Sequence, residues 1–169
     1  MIYICIATPG EMKLLPYTIP QSVWDQAPRI VITGVGGSNV VRKLRSVARD
    51  FNFHGDYIWN VGYCGAPKHL KPGTVVHIDK CRTYHPGVEF AEPDFTLFSG
   101  GVDDKHVTCL TAGDFVTDPA SIPLDKWGMP CVVDMELAYL CALFPNRVSS
   151  IKVVSDNCDL AQYENNLKK

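Results

Sequence analysis

The run Arg29-Ile30-Val31-Ile32-Thr33-Gly34-Val35-Gly36-Gly37-Ser38 decides the fold class. Its first half is apolar and β-branched, the pattern of a buried strand, and the glycines break it. Beyond Ser38, placed to cap a helix, Val40, Val41, Leu44, Val47, Ala48 and Phe51 recur at i, i+3 and i+4 spacing. Arg42, Lys43, Arg45 and Arg49 take the opposite face. A buried strand, a glycine turn and an amphipathic helix make the repeating unit of an α/β sheet.

The same grammar extends in both directions. Residues 2–7 form an apolar run closed by Thr8-Pro9-Gly10, and residues 11–15 suit one helical turn before Pro16. The Pro-rich stretch 17–28 reads as loop. Residues 56–61, running into Gly62-Tyr63-Cys64-Gly65, and residues 74–79, 106–111 and 150–154 read as further strands. Residues 132–144 have helical spacing stopped by Pro145, which places Asp134, Met135 and Glu136 in a first helical turn. Residues 86–101 show no period, and the polar tail after Asp159 suits a short helix. The expected fold is α/β, with a mixed, largely parallel sheet flanked by helices in one domain over residues 1–169.

Composition narrows the function. A chain of 169 residues that is 46% hydrophobic and 20% charged, with a formal net charge of −2, can bury a proper core. It lacks the basic excess of a nucleic-acid or membrane-surface binder, and the basic face of 42–49 reads as solvated helix. Seven cysteines without a C-x-x-C pair sit largely in apolar runs, as reduced core thiols of a cytoplasmic protein do. No basic leader precedes the first apolar run, and no stretch has membrane-spanning length. His54, His69, His77, His85 and His106 form no ligand spacing with one another or with the cysteines, so no metal is expected. Asn39 stands where a dinucleotide fingerprint needs its third glycine, so no dinucleotide cofactor is expected either.

In open α/β sheets ligands lie beyond the carboxyl ends of the strands. Here those ends carry Glu11, the glycines 34–37, residues 60–65, Asp114-Phe115 and Ser155-Asp156. Taken singly, each has a bland account. The glycine turn is either an anion or sugar site or a tight turn, Glu136 and Glu11 suit helix starts, and Asp156 suits a turn.

Taken in order, five segments resemble the purine nucleoside phosphorylase/nucleosidase superfamily, and within it the methylthioadenosine/S-adenosylhomocysteine nucleosidases. They are residues 7–15, Gly34-Val35-Gly36, residues 60–66 with 70–76, Val133-Asp134-Met135-Glu136 and Val153-Val154-Ser155-Asp156. The resemblance implies a phosphorylase/hydrolase-like three-layer fold and cleavage of a purine N-glycosidic bond. It implies that Asp156, beside Ser155, acts as acid at purine N7, and that Glu11 orients or deprotonates the attacking water. Glu136 and the Met135 backbone would hold the ribose, Phe115 and the Val116 backbone the purine, with Gly36 and Tyr63 near the sugar. It also implies a homodimer or higher homo-oligomer whose partner molecule is a small purine nucleoside.

Asn60 and Tyr63 occupy places where the phosphorylases carry an arginine, and Glu11 occupies the place of the nucleosidases' base, so hydrolysis is expected over phosphorolysis. A nucleoside-binding relative without turnover is the remaining alternative. Tyr63 replaces a small residue, and Lys152 stands where nucleosidases usually carry arginine. The chain is also shorter than the family's members between Leu15 and Arg29, between His85 and His106 and after Asp159, which leaves the 5′-substituent open.

Overall fold

The computed structural model describes residues 1–84, 95–97, 106–125 and 128–168. Most of the stretch without a period falls outside these residues. The strands are β1 (Ile2–Ile6), β2 (Arg29–Ile32), β3 (Tyr57–Gly65), β4 (Val75–Tyr84), β5 (Phe95–Thr96), β6 (His106–Ala112), β7 (Cys131–Asp134) and β8 (Val148–Asp156). The helices are α1 (Leu15–Thr18), α2 (Gln21–Trp24), α3 (Gly37–Asp50), α4 (Leu137–Leu143) and α5 (Leu160–Lys168), with 3-10 turns at Pro9–Leu14 and Pro119–Ser121.

The eight strands form one sheet that is mixed, not largely parallel as expected. β1 pairs β2 and β3 in parallel, as do β3 with β8, β4 with β6, and β6 with β7. β4 runs antiparallel to β8 and β5, and β7 meets β3 antiparallel through Gly65 and Val133. Strands β3, β8, β4, β6 and β7 thereby close into a five-membered ring. The cause is the short link from β3 to β4. Residues 66–74 turn through Lys71-Pro72-Gly73 without a crossover helix, and a parallel return needs a dozen residues or more. β4 therefore comes back in the opposite sense.

β1 shows why the strands read as continuous apolar runs. Tyr3 and Cys5 face the layer of α3 and α4, while Ile2, Ile4 and Ile6 face Leu14, Leu15 and Val23 on the other side. Each fully buried Ile or Leu contributes roughly 2 kcal/mol, so both faces drive assembly. All nine residues of β8 are buried.

Four local expectations change. Among the described residues β2 is an edge strand bonded to β1 alone, and its Ile30 and Ile32 are exposed. Residues 17–28 contain the second half of α1 and all of α2, because Pro16 sits in the first turn of α1, where its missing N–H costs nothing. Gly36, not Ser38, is the N-cap of α3, with Gly34 and Gly36 at φ of 86° and 87°. Residues 131–134 are strand, not helix: β-branched Val132 and Val133 extend between β6 and β3 before the chain turns at Asp134. The seven cysteines are buried free thiols, and no helix among the described residues is long and apolar enough to cross a membrane.

Candidate active site

The turn after β1 fixes the first carboxylate. Glu11 Oε2 accepts the backbone N–H groups of Ala7 (2.7 Å) and Thr8 (3.1 Å), and Oε1 accepts that of Tyr63 (3.1 Å). Three of its roughly four lone-pair sites are thus filled by main chain, which locks a buried side chain with little freedom left. Gly62 makes this approach possible. A Cβ there would lie 3.0 Å from Glu11 Oε1 and 3.4 Å from Lys152 Nζ.

The second carboxylate stands where β7 hands over to α4. Glu136 occupies the N-cap position of α4 without its side chain bonding the helix N–H groups, and its Oε2 accepts the N–H of Gly36 at 3.2 Å. The glycine turn therefore orients Glu136. Burial first, then the charges of Asp134 and Glu11, push the Glu136 carboxyl up to about 8; Lys152 and the Gly36 N–H oppose the rise.

Beneath it lies an ion pair. Asp134 Oδ2 meets Lys152 Nζ at 3.0 Å and the Leu137 N–H at 2.8 Å, while Oδ1 accepts the Thr111 hydroxyl at 2.6 Å. Burial alone would lower the Lys152 ammonium, but Asp134 and its neighbours outweigh it and hold Lys152 charged. Burial alone would raise Asp134. Lys152, Thr111 and Leu137 outweigh it and hold that carboxyl below its usual value. One buried cation thus sits under several carboxylates.

Asp156 ends β8. Its Oδ2 accepts the Ser155 hydroxyl at 2.5 Å and its Oδ1 the Cys158 N–H at 2.8 Å. Burial raises the Asp156 carboxyl above its ordinary value, against the pull of these bonds. That moves it toward the range in which a carboxyl can deliver a proton. Asn157 anchors the turn by donating to the carbonyls of Ala66, Pro67 and Leu70.

One cleft, with about 490 Å³ of free space including its open mouth, joins these groups. Of the expected residues, Glu11, Tyr63, Phe115, Val116, Met135, Glu136, Ser155 and Asp156 line it, and Gly36 stands behind Glu136. Asn60 does not line it. Its amide donates to the Cys5 carbonyl and accepts the Ser150 hydroxyl, tying β1, β3 and β8 together.

Sequence reasoning missed one wall. Tyr163 of α5 also lines the cleft, with its ring 5.4 Å from that of Phe115. α5 is held over the site at Asn166: Lys13 Nζ donates to its carbonyl at 2.6 Å, and its amide donates to the Ser155 carbonyl. A lone tyrosine in a polar tail carries no local signal of this role. The weight of Lys152 was hidden likewise, because its partner lies on another strand.

No protein-family model and no curated protein matches the chain in sequence. Solved structures match its fold. The 5′-methylthioadenosine/S-adenosylhomocysteine nucleosidase from Neisseria meningitidis, in complex with methylthio-immucillin-A, superposes with a TM-score of 0.70 at 18% identity, covering 99% of this chain and 91% of that one. The corresponding enzyme from Streptococcus pneumoniae with a transition-state inhibitor gives 0.67 at 18% identity over 97% and 90%. Futalosine hydrolase of Helicobacter pylori gives 0.68 at 15% identity over 99% and 90%. The fold is therefore the one that these nucleosidases and this hydrolase share.

Proposed function

We propose that this chain, folded like those nucleosidases, hydrolyses the N-glycosidic bond of a purine, adenosine-like nucleoside and releases the free base. The observation that carries the reading is the convergence of Glu11, Glu136 and Asp156, from three separate stretches of chain, on one cleft that also presents Phe115. In this mechanism the purine stacks on Phe115 against the Val116 backbone. Asp156 delivers a proton to N7, the bond from C1′ to N9 breaks, and its electron pair leaves with the base. Glu136 and the Met135 backbone bind the 2′- and 3′-hydroxyls, and the carboxylate opposes the positive charge that grows on the sugar. Glu11 takes a proton from water as its oxygen bonds to C1′. Ser155 holds Asp156 in place.

Charge favours water over phosphate as nucleophile. Among the described residues the cleft lining holds four acidic side chains besides Glu11 and no lysine or arginine, and Lys152 is engaged by Asp134. A phosphate dianion would be repelled there. The same reading carries a homo-oligomer, for which the exposed Ile30, Ile32 and Val35 beside the glycine turn offer an apolar surface to a second copy.

The test is incubation with a panel of purine nucleosides, with and without phosphate, following free base. Release without phosphate supports hydrolysis. Release only with phosphate means phosphorolysis, and binding without release in any condition means a nucleoside-binding homologue.

A further inference from the structure

Glu136 stands at the N-cap of α4, where a side chain ordinarily accepts an N–H of the first turn. Its carboxylate accepts none of them, and bonds instead to Gly36 while lining the cleft. Two side chains from outside the helix take over that duty. Asp134 Oδ2 accepts the Leu137 N–H at 2.8 Å, and the Thr111 hydroxyl, on β6, accepts the Ala138 N–H at 3.0 Å. The same hydroxyl donates its one proton to Asp134 Oδ1 at 2.6 Å, so it faces Ala138 with a lone pair. Lys152 in turn holds the Asp134 carboxylate through Oδ2. Thr111 itself is buried, at 2% exposure, and does not line the cleft.

We infer that Thr111 is a positioning residue: with Asp134 it caps α4 from outside, which frees the Glu136 carboxylate to face the sugar of the bound nucleoside. For the sugar, this rests on the proposed nucleosidase reading. Free N–H groups at a helix start attract an anionic side chain beside them. Here the Leu137 and Ala138 N–H groups are already occupied, and that attraction is removed. Glu136 keeps one main-chain bond, to Gly36, against three for Glu11. Most of its lone pairs therefore remain for the 2′- and 3′-hydroxyls. Thr111→Val keeps the shape of the side chain and removes the acceptor. The Ala138 N–H would then draw the Glu136 carboxylate back onto its own helix, away from the cleft.

The experiment compares wild type with Thr111→Val, Thr111→Ala and Thr111→Ser, and thermal melting checks that each folds. Two readings are taken. One is kcat/KM for base release from adenosine. The other is titration of the Glu136 carboxyl in the ligand-free protein by carbon-13 NMR, with Glu136→Gln identifying its signal. Thr111→Val and Thr111→Ala should lower kcat/KM by roughly tenfold to a hundredfold, as misplacing a group by about an ångström does. In both, the carboxyl should titrate at lower pH than in wild type, because it gains a backbone N–H. The titratable groups that act on or feel Glu136 are Asp134, Lys152, Glu11 and Tyr163, from β7, β8, the turn after β1 and α5, and none of them is changed. Thr111→Ser keeps the hydroxyl and should match wild type in both readings. A folded Thr111→Val or Thr111→Ala with the wild-type titration or the wild-type kcat/KM overturns the inference, as does a Thr111→Ser that behaves like Thr111→Val. If Thr111→Val melts below the assay temperature, Thr111→Ala decides. If wild type releases no base, the hydrolase reading fails, and the titration still decides the role of Thr111.

Discussion

Lys152 Nζ lies 3.0 Å from Asp134 Oδ2, and both side chains are shut away from water, at 2% and 0% exposure. The pair joins the middle of β8 to the end of β7, two residues before Glu136. A buried ion pair gains little over apolar packing, but breaking it leaves a bare charge. Asp134 also holds the Leu137 N–H and the Thr111 hydroxyl, so the fault would spread into the start of α4.

Lys152→Met should therefore destabilise the protein by about 3–5 kcal/mol in urea unfolding. Lys152→Met with Asp134→Asn, which removes the orphaned charge, should recover part of the loss. A single variant within about 1 kcal/mol of wild type, the size of a surface pair, would contradict a dry ion pair.

The raised Glu136 carboxyl gives a pH prediction with a definite sign. Its value in the folded chain, about 8, lies above the unfolded value of about 4.3. Between these limits the folded state binds more protons, so Glu136 stabilises the ligand-free protein below about pH 4 and that contribution is lost as pH rises through 8. Binding ribose hydroxyls and a nascent cation needs the ionised form. On the proposed reading, the pH profile of kcat/KM should rise as Glu136 ionises and fall as Asp156 loses the proton it delivers, a bell and not a plateau, and Glu136→Gln should abolish the rising limb along with most activity.

Gly62→Ala places a methyl 3.0 Å from Glu11 Oε1. Glu11 has little room to give, because three main-chain N–H groups hold it. Base release should fall by roughly tenfold to a hundredfold, the effect of misplacing a reacting group by a fraction of an ångström to one ångström. Thermal melting should report a small change beside that loss. Wild-type turnover would show that the carboxylate is not held as tightly as its bonds imply.

Glu11→Gln keeps the size of the side chain and removes the proposed base. Hydrolysis should drop by about 10²–10⁴-fold while calorimetry shows retained nucleoside binding. Parallel loss of both would make Glu11 a binding group.

The elements legible in sequence were those whose own residues carry the signal: β1, β3, β6, β8 and amphipathic α3. The residues of the cleft were legible as a set, because strand ends gather ligands and the order of the segments resembles a known family. The sheet's closure was not. β4 looks the same in either direction, and only the short link at 66–74 forces its return. β7 was masked because Val132, Val133 and the apolar face of α4 together imitate one helical period. Burial of β2 was overestimated because an edge strand of Ile and Val reads like a central one. Tyr163 and the Lys152–Asp134 pair depend on contacts between distant stretches, which no local pattern records.

In the proposed reaction Asp156 makes the purine a leaving group within this cleft. The most direct measurement compares wild type and Asp156→Asn on one nucleoside, following free base without phosphate while calorimetry records binding. Wild type should release base, the variant should lose about 10²–10⁴-fold, and both should bind with similar affinity. Equal release by the two proteins would contradict it, as would nucleoside binding by wild type with no base released.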